Sequence, residues 1–174
     1  MGPPTFILLV AAGNETTRNA LSHGMLALTE NPDQRQAWFD DFDRISKSAV
    51  EEIVRWATPV IHFRRTLTED TVVRGTQLRA GDKAILWYCS ANRDESIWAD
   101  ADVFDLRRPI QPMQLGFGGG GPHFCLGANL ARFEIACVFD EIRARVPQLH
   151  VTGSPDWLES NFVNGIKRLP CSIR

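Results

Sequence analysis

The chain has 174 residues, 44% of them apolar, with 19 basic and 21 acidic side chains for a net charge of -2. That is apolar content for one ordinary core, hence one globular unit over 1–174, and the near-neutral balance argues against nucleic acid as the main partner. No stretch approaches the roughly 18 apolar residues of a transmembrane segment, and the apolar run Phe6 to Ala12 lacks the basic start and cleavage site of a signal peptide.

In chain order, Met1 to Pro4 is short and hostile to helix. Phe6 to Ala12, FILLVAA, is then apolar on all sides, the pattern of a helix buried all round. It turns abruptly polar at Gly13-Asn14-Glu15-Thr16-Thr17-Arg18-Asn19. Apolar spacing resumes at Ala20, Leu21, Met25, Leu26 and Leu28, and Pro32 stops it. Glycine costs about 1 kcal/mol against alanine in a helix interior, and paired threonines add stiff β-branched side chains. Penalties clustered at one turn point to a working site. The plainer alternative is a solvated face made by Glu15, Arg18 and Asn19.

Asp33 to Asp43 reads as a short amphipathic helix with a loop, and Ser48-Ala49-Val50-Glu51 as a capping box for the helix that follows. On that helix Val50, Ile53, Val54 and Ala57 form the apolar stripe. Periodicity therefore puts Glu52 and Arg55 on the opposite face, an exposed i,i+3 pair worth about 0.2–0.5 kcal/mol. From Pro59 the period drops to two. HFRRTL, TVV and KAILWY read as strands, punctuated by hairpin-type turns at Arg74-Gly75-Thr76 and Ala80-Gly81-Asp82. Asn92 to Gly116 shows little periodicity and reads in isolation as a weakly ordered linker.

Leu115 to Phe133 is the stretch the rest is organised around. Gly118, Gly119, Gly120 and Gly121 leave the backbone without Cβ atoms, so a flat ligand can approach closely and positive φ is permitted. Past Cys125, the positions Leu126, Leu130, Phe133 and Cys137, joined by Ala131, Ile135, Val138 and Ile142, recur at helical spacing. Cys125 thus sits at a helix N-terminus, where unpaired N–H groups and the helix dipole favour the thiolate. A P-loop would need Lys-Ser/Thr after its last glycine, and the dinucleotide fingerprint a preceding strand. Zinc would want three or four short-spaced ligands, and only His123 and Cys125 are offered. A single thiolate suits haem iron, and a buried free cysteine beside a flexible loop is the alternative. Pro147 ends the helix, and the remaining residues alternate short strand-like pieces with turns. The four cysteines at 89, 125, 137 and 171 form no recognisable disulfide framework. A reducing cytoplasm fits them, with Cys89, Cys137 and Cys171 read as structural.

The sequence F-G-G-G-G-P-H-F-C-L-G, Phe117 to Gly127, resembles the haem-ligand loop of the cytochrome P-450 superfamily, the haem-thiolate monooxygenases. Phe117 stands eight residues before Cys125 where the usual pattern has seven, so one glycine is extra. Gly121, His123, Cys125 and Gly127 keep their expected spacing. An extra glycine of this kind resembles the actinobacterial branch that oxidises methyl-branched lipids and sterol side chains, as does the tail N-G-I-K-R-L-P, Asn164 to Pro170. A-G-N-E-T-T, Ala12 to Thr17, resembles the oxygen-binding groove of the family's central helix. By matching positions Gly13 makes room for oxygen, Glu15 relays protons and Thr16 orients the water chain, with Ala12 against the cofactor. E-I-V-R, Glu52 to Arg55, resembles the E-x-x-R pair that is buried and locks the cysteine loop, with Arg108 as third member. R-T-L-T-E-D, Arg65 to Asp70, resembles the strand whose arginine meets a haem propionate, Arg65 being the choice and Arg64 the alternative. The linker 92–116 becomes the meander beneath the haem. Many members carry histidine three residues before the phenylalanine, where this chain has Gln114.

The resemblance implies a mainly α fold with small β-sheets (α+β), the C-terminal part of the P-450 fold from the central oxygen-binding helix onward. It implies haem b with an axial thiolate from Cys125 as the metal ligand. His123, Arg65, Phe117, Gly119, Gly127 and Ala12 would contact the cofactor, and Val60 and Phe162 the substrate. A full-length member has more than as much chain again before the central helix, so a C-terminal fragment or truncated reading frame is expected. Two functions then compete. One is a monooxygenase that hydroxylates a hydrophobic lipid with O2 and electrons from a ferredoxin-type donor with its reductase. The other is a non-catalytic remnant that folds or binds haem poorly without the missing half.

Overall fold

The structure, a computed structural model, describes residues 3–174. Its first element, α1 (Pro3–Glu30), is an unbroken helix of 28 residues. Pro3 and Pro4 occupy the first turn, where a missing N–H costs nothing and φ is already helical. Met1 and Gly2, the rest of the segment expected to resist helix, lie outside the described residues. Gly13 does not break α1, and the Thr16 hydroxyl donates to the Ala12 carbonyl at 2.7 Å, a local bond that settles a threonine in a helix interior. The run Phe6 to Val10, expected to be buried all round, is exposed, Phe6 at 68%. Among the described residues no other element covers those turns. What α1 buries is its second half, where Asn19, Ala20, His23, Met25, Ala27 and Leu28 face inward.

Next come α2 (Pro32–Asp40) and α3 (Phe42–Ala57). The apolar stripe of α3, from Ile45 to Val54, packs in one core with Leu28 of α1, Trp38 of α2 and both Ile135 and Phe139 of α5 (Ala128–Arg145). The Trp38 ring stacks on Phe42 at 5.3 Å and tilts against Phe139 at 5.1 Å. Each such contact is worth about 0.5–1.5 kcal/mol beyond its buried area. The predicted capping box is not one. Ser48 lies in the middle of α3, and its hydroxyl donates to the carbonyls of Ile45 at 3.0 Å and Leu106 at 2.6 Å. A serine that finds a tertiary acceptor loses its reason to cap. The end of α3 is set by Thr58, left-handed at φ 36°, whose N–H returns to the Val54 carbonyl.

Four two-stranded antiparallel sheets complete the described fold. Strand β1 (His62–Thr66) pairs with β4 (Lys83–Trp87), and β2 (Thr71–Val73) with β3 (Thr76–Leu78). Further on, β5 (His150–Val151) pairs with β8 (Cys171–Ser172), and β6 (Asp156–Trp157) with β7 (Ile166–Arg168). Strands β1, β2 and β4 are those read from the sequence, and β3 is an addition. Between β2 and β3, Arg74 at φ 48° and Gly75 at φ 82° make the left-handed two-residue turn that suits a twisted hairpin. The short helix α4 (Tyr88–Ala91) leads into the aperiodic segment before the glycine loop.

The C-terminal tail is tied to α1. Ile166 N–H donates to the buried Asn19 Oδ1 at 3.1 Å, Arg18 donates to the Ile166 carbonyl at 2.9 Å, and His23 Nε2 donates to the Asn164 carbonyl at 3.1 Å. Burial pushes the His23 imidazole below its ordinary value of 6.5. The unfolded chain then takes up this proton first, so the contribution is complete above about pH 6.5 and declines as pH falls below it. Urea midpoints are expected to drop between pH 7 and pH 5, and His23→Gln to flatten that drop. An equal drop in the variant would assign it to other groups.

Candidate cofactor site

Glu52 and Arg55, which periodicity alone makes an exposed pair, are 2% and 1% exposed. Arg55 Nε and Nη2 grip the two Glu52 oxygens at 2.7 and 2.8 Å. Its Nη1 donates to the carbonyls of Asn92 at 2.7 Å and Ala101 at 2.8 Å, and Nη2 also to Val103 at 3.2 Å. All five guanidinium donors are thereby matched. Arg108 Nε adds a bond to Glu52 at 3.1 Å, and its outer nitrogens reach the carbonyls of Ala99, Asp100 and Val103. Periodicity failed because the second face of α3 is also covered, by a segment without periodicity of its own. Full pairing is what makes buried charge tolerable there.

The network continues into the glycine loop through Asn92, which the sequence reading did not single out. Its side chain donates to Thr58 Oγ1 at 2.9 Å and accepts from Leu115 N–H at 2.7 Å. Gly118, Gly120 and Gly121 then adopt φ of 92°, 94° and 75°, conformations that strain any residue with a Cβ. The loop closes on itself with Gly118 N–H to Leu115 carbonyl at 2.9 Å and Cys125 N–H to Phe117 carbonyl at 3.0 Å. Cys125 is exposed. Helix α5 starts at Ala128 with Gly127 as its N-cap, so the cysteine stands in the turn just before the helix and not on its first residue. Gly116 is the tightest point. A Cβ there would lie 2.8 Å from Val54 Cγ1 and 2.9 Å from Gln114 Oε1. Gly116→Ala is expected to cost about 1–3 kcal/mol through overpacking, read as a lower urea midpoint, and an unchanged midpoint would show that the loop yields freely.

Beside the loop lies an open cavity of 590 Å³ bounded by Arg65 of β1, Leu86 and Trp87 of β4, and Gly119, Gly120 and His123. The Arg65 guanidinium touches the Arg64 carbonyl at 3.1 Å and the Phe63 ring at 5.8 Å, and it has no acidic partner among the described residues. Arg64 is not part of the cavity wall. Val60 bridges to Val163, and Ile61 N–H donates to the Phe162 carbonyl at 2.9 Å. That pairing sets the Phe162 ring perpendicular to Phe63 at 5.5 Å and near His62 at 5.9 Å, while His62 lies 4.8 Å from Trp87 at the cavity. Ala12, Gly13, Glu15 and Thr16 stay together on α1 and do not line this cavity. Glu15 is held by Arg18 at 2.7 Å.

The helical spacing past Cys125 does not mark one buried stripe. Leu126, just before α5, is 91% exposed, Leu130 and Phe133 on α5 are exposed too, and the buried residues of α5 are Ala128, Ile135 and Phe139. Helical spacing found the helix but merged two faces, one packed on α1 and α3 and one uncovered. Cys137 falls on the uncovered side, and Cys171 is also exposed, so neither supports a buried structural role. Among the described residues no helix is long and apolar enough to cross a membrane.

The family model described as cytochrome P450 matches residues 5–142. A methyl-branched lipid omega-hydroxylase of Mycobacterium tuberculosis is 62% identical over 95% of this chain and 38% of its own length. A steroid C26-monooxygenase of Rhodococcus jostii is 47% identical over 92% of this chain and 33% of its own. Among solved structures, a cytochrome P450 of Mycobacterium marinum in complex with pseudoionone superposes with a TM-score of 0.94 at 45% identity, over 97% of this chain and 40% of that one. Cytochrome P450-153 from Novosphingobium aromaticivorans gives a TM-score of 0.88 at 39% identity, over 96% of this chain and 42% of that one. The chain thus spans about two fifths of the length of these relatives. Matched along most of its sequence and superposing on solved members through both its helices and its small sheets, the chain belongs to the cytochrome P450 family and has the C-terminal part of that fold.

Proposed function

We propose that this chain carries the haem-thiolate portion of a monooxygenase that hydroxylates a hydrophobic lipid, such as a methyl-branched fatty acid, an isoprenoid or a sterol side chain. O2 and a ferredoxin-type donor with its reductase would be the co-reactants. The observation that carries this reading is the exposed Cys125 thiol, held by a loop with three left-handed glycines beside a cavity whose arginine has no acidic partner among the described residues. These residues fit haem b. A lone thiolate suits iron as its single protein ligand, and a Cβ-free stretch at Gly119 and Gly120 admits a flat group closely. The Arg65 guanidinium is free for a propionate carboxylate, a charge-assisted pairing that His123 on the same rim would share. Phe117, Gly127 and Ala12 would pack around the ring. Bound there, haem supplies iron that activates O2, and thiolate ligation favours O–O cleavage.

The protein's own task is protons, position and exclusion of water. One atom of O2 enters a C–H bond as hydroxyl and the other leaves as water, which takes two electrons from the donor and two protons from solvent. Glu15, exposed on α1, would relay those protons, and it must exchange its Arg18 partner each time it does so. Gly13 would leave room beside it. The Thr16 hydroxyl spends its hydrogen on the Ala12 carbonyl and keeps its lone pairs for a water that donates toward the site. Val60 and Phe162, through the aromatic cluster with Phe63 and Trp87, would meet an apolar substrate. The two relatives named for methyl-branched lipids and for steroids support that substrate class.

A second reading, that this chain alone binds haem poorly and does not turn over substrate, is favoured by one observation. Phe6 to Val10, Leu130 and Phe133 are exposed, and apolar surface of this extent favours association. An open site also admits water, which uncouples oxygen reduction from C–H attack. Reconstituted with haem, reduced and exposed to carbon monoxide, the chain is expected to show the red-shifted Soret band of thiolate ligation, and its absence would reject the haem-thiolate reading for this polypeptide. With ferredoxin, reductase and a methyl-branched fatty acid, NAD(P)H is expected to be consumed with release of peroxide. Hydroxylated product formed in proportion to NAD(P)H would reject the second reading.

A further inference from the structure

The two adjacent glutamates of α3 serve different masters. Glu52 is enclosed by Arg55 and Arg108, whereas Glu51 turns toward α5 and the glycine loop. Glu51 accepts from Arg132 Nε at 2.5 Å and from Gln114 Nε2 at 2.9 Å. The side chains of Glu51 and Arg132 are 12% and 24% exposed, and Gln114 is buried. Gln114 uses its other end as an acceptor for the Gly116 N–H at 2.5 Å. Arg132 completes the ring from the far side, its guanidinium carbon 4.4 Å from the centroid of Phe117, whose carbonyl holds the Cys125 N–H at 3.0 Å. Both ends of the segment Gln114 to Phe117 are therefore fastened to one carboxylate, and the second fastening leads directly to the cysteine.

The geometry points to Glu51, Gln114 and Arg132 as a positioning clamp for the thiolate loop, separate from the Glu52 network and acting on Cys125 through Phe117. This assignment rests on the haem-thiolate reading for its spectroscopic consequence and on hydrogen bonding alone for its structural one. The chemistry of position 114 is constrained. It must donate to a carboxylate and accept from an amide at the same time, which a neutral carboxamide does at every pH. The pair Glu51 and Arg132 is only partly screened from solvent, so its value lies in direction more than in strength. The charged groups facing Gln114 are Glu51 and, through Glu51, Arg132. Across a small cavity of about 10 Å³ stand Glu52, Arg55 and Arg108.

The test replaces the neutral link by a charged one and then restores the pattern with the partners exchanged. Gln114→Glu sets two carboxylates against each other, which raises the pKa of one of them above the usual carboxylate value of about 4. Its clamp should hold at low pH, where one proton is shared, and open as pH rises. The double variant Glu51→Gln/Gln114→Glu puts donor and acceptor back between the two positions and leaves the amide oxygen at 51 to accept from Arg132 without its charge, so it should recover the parent's pH response. In the haem-loaded chain, reduced and bound to carbon monoxide, the fraction showing the red-shifted Soret band should fall with rising pH in Gln114→Glu and stay flat in the parent and the double variant. In the haem-free chain, the exchange protection factor of the Gly116 amide should fall on the order of tenfold in Gln114→Glu at neutral pH, as for loss of a bond within a charged pair, and return in the double variant. A flat band fraction together with unchanged protection would overturn the clamp. A parent without the thiolate band rejects the haem reading and leaves the exchange measurement to decide the clamp alone.

Discussion

Arg55→Ala is expected to lower the unfolding free energy by about 3–5 kcal/mol, a large share of what a domain of this size has. The variant strands Glu52 with Arg108 as its remaining charged partner at 3.1 Å and takes the Arg55 donors from the carbonyls of Asn92 and Ala101, while the Val103 carbonyl keeps Arg108 at 2.7 Å. Each buried group left without its bond costs about 1–3 kcal/mol. An exposed i,i+3 pair would lose about 0.2–0.5 kcal/mol, so the two placements differ by close to an order of magnitude. Tryptophan fluorescence in urea is the measurement of choice, because the rings of Trp56 and Trp98 lie 5.8 and 5.7 Å from the Arg55 guanidinium carbon. Arg55→Lys keeps the charge without the fork and should fall between the parent and the alanine variant. A shift within about 0.5 kcal/mol for Arg55→Ala would place the residue among those whose replacement the surface absorbs.

Glu52 and Arg55 also show where sequence reading stops. A hydrophobic stripe reports that one face of a helix is buried, and it found Val50, Ile53, Val54 and Ala57 correctly. It is silent about a second face covered by carbonyl groups, because a carbonyl-rich segment carries no side-chain period. For that face the motif E-I-V-R was informative and the periodicity was not. The same limit explains α5, where an even spread of apolar residues concealed one packed and one uncovered face. Phe6 to Ala12 presents the converse case. All-round apolarity specifies that a helix wants surroundings, and nothing in the run states what provides them. Hairpin turns were easiest to read, since Arg74-Gly75 and Gly81 announce positive φ in their own chemistry. Asn92 and Arg132 were hidden, and Glu51 was read only as part of a capping box, because each works through hydrogen bonds to residues distant in sequence. Gln114 was visible only as a departure from a family pattern, and the structure shows what a side chain at that position has to do.

Cys125→Ser should separate folding from ligation more sharply than any other single change. The side chain is exposed and the loop holds this residue by its backbone N–H, so loss of the sulfur removes no packing or structural bond among the described residues. Stability should therefore move by no more than about 0.5 kcal/mol. The spectrum should change completely, since a serine hydroxyl stays protonated where a thiol can ionise, and thiolate is the form that ligates metal. In the ferrous carbon monoxide complex the red-shifted Soret band is expected to vanish while the urea midpoint of the haem-free chain stays in place. A retained band would remove Cys125 as the ligand, and a collapse of the midpoint would make it a structural residue of the loop. Loss of the band alone, with folding intact, is the outcome that the left-handed glycines and the exposed thiol together require.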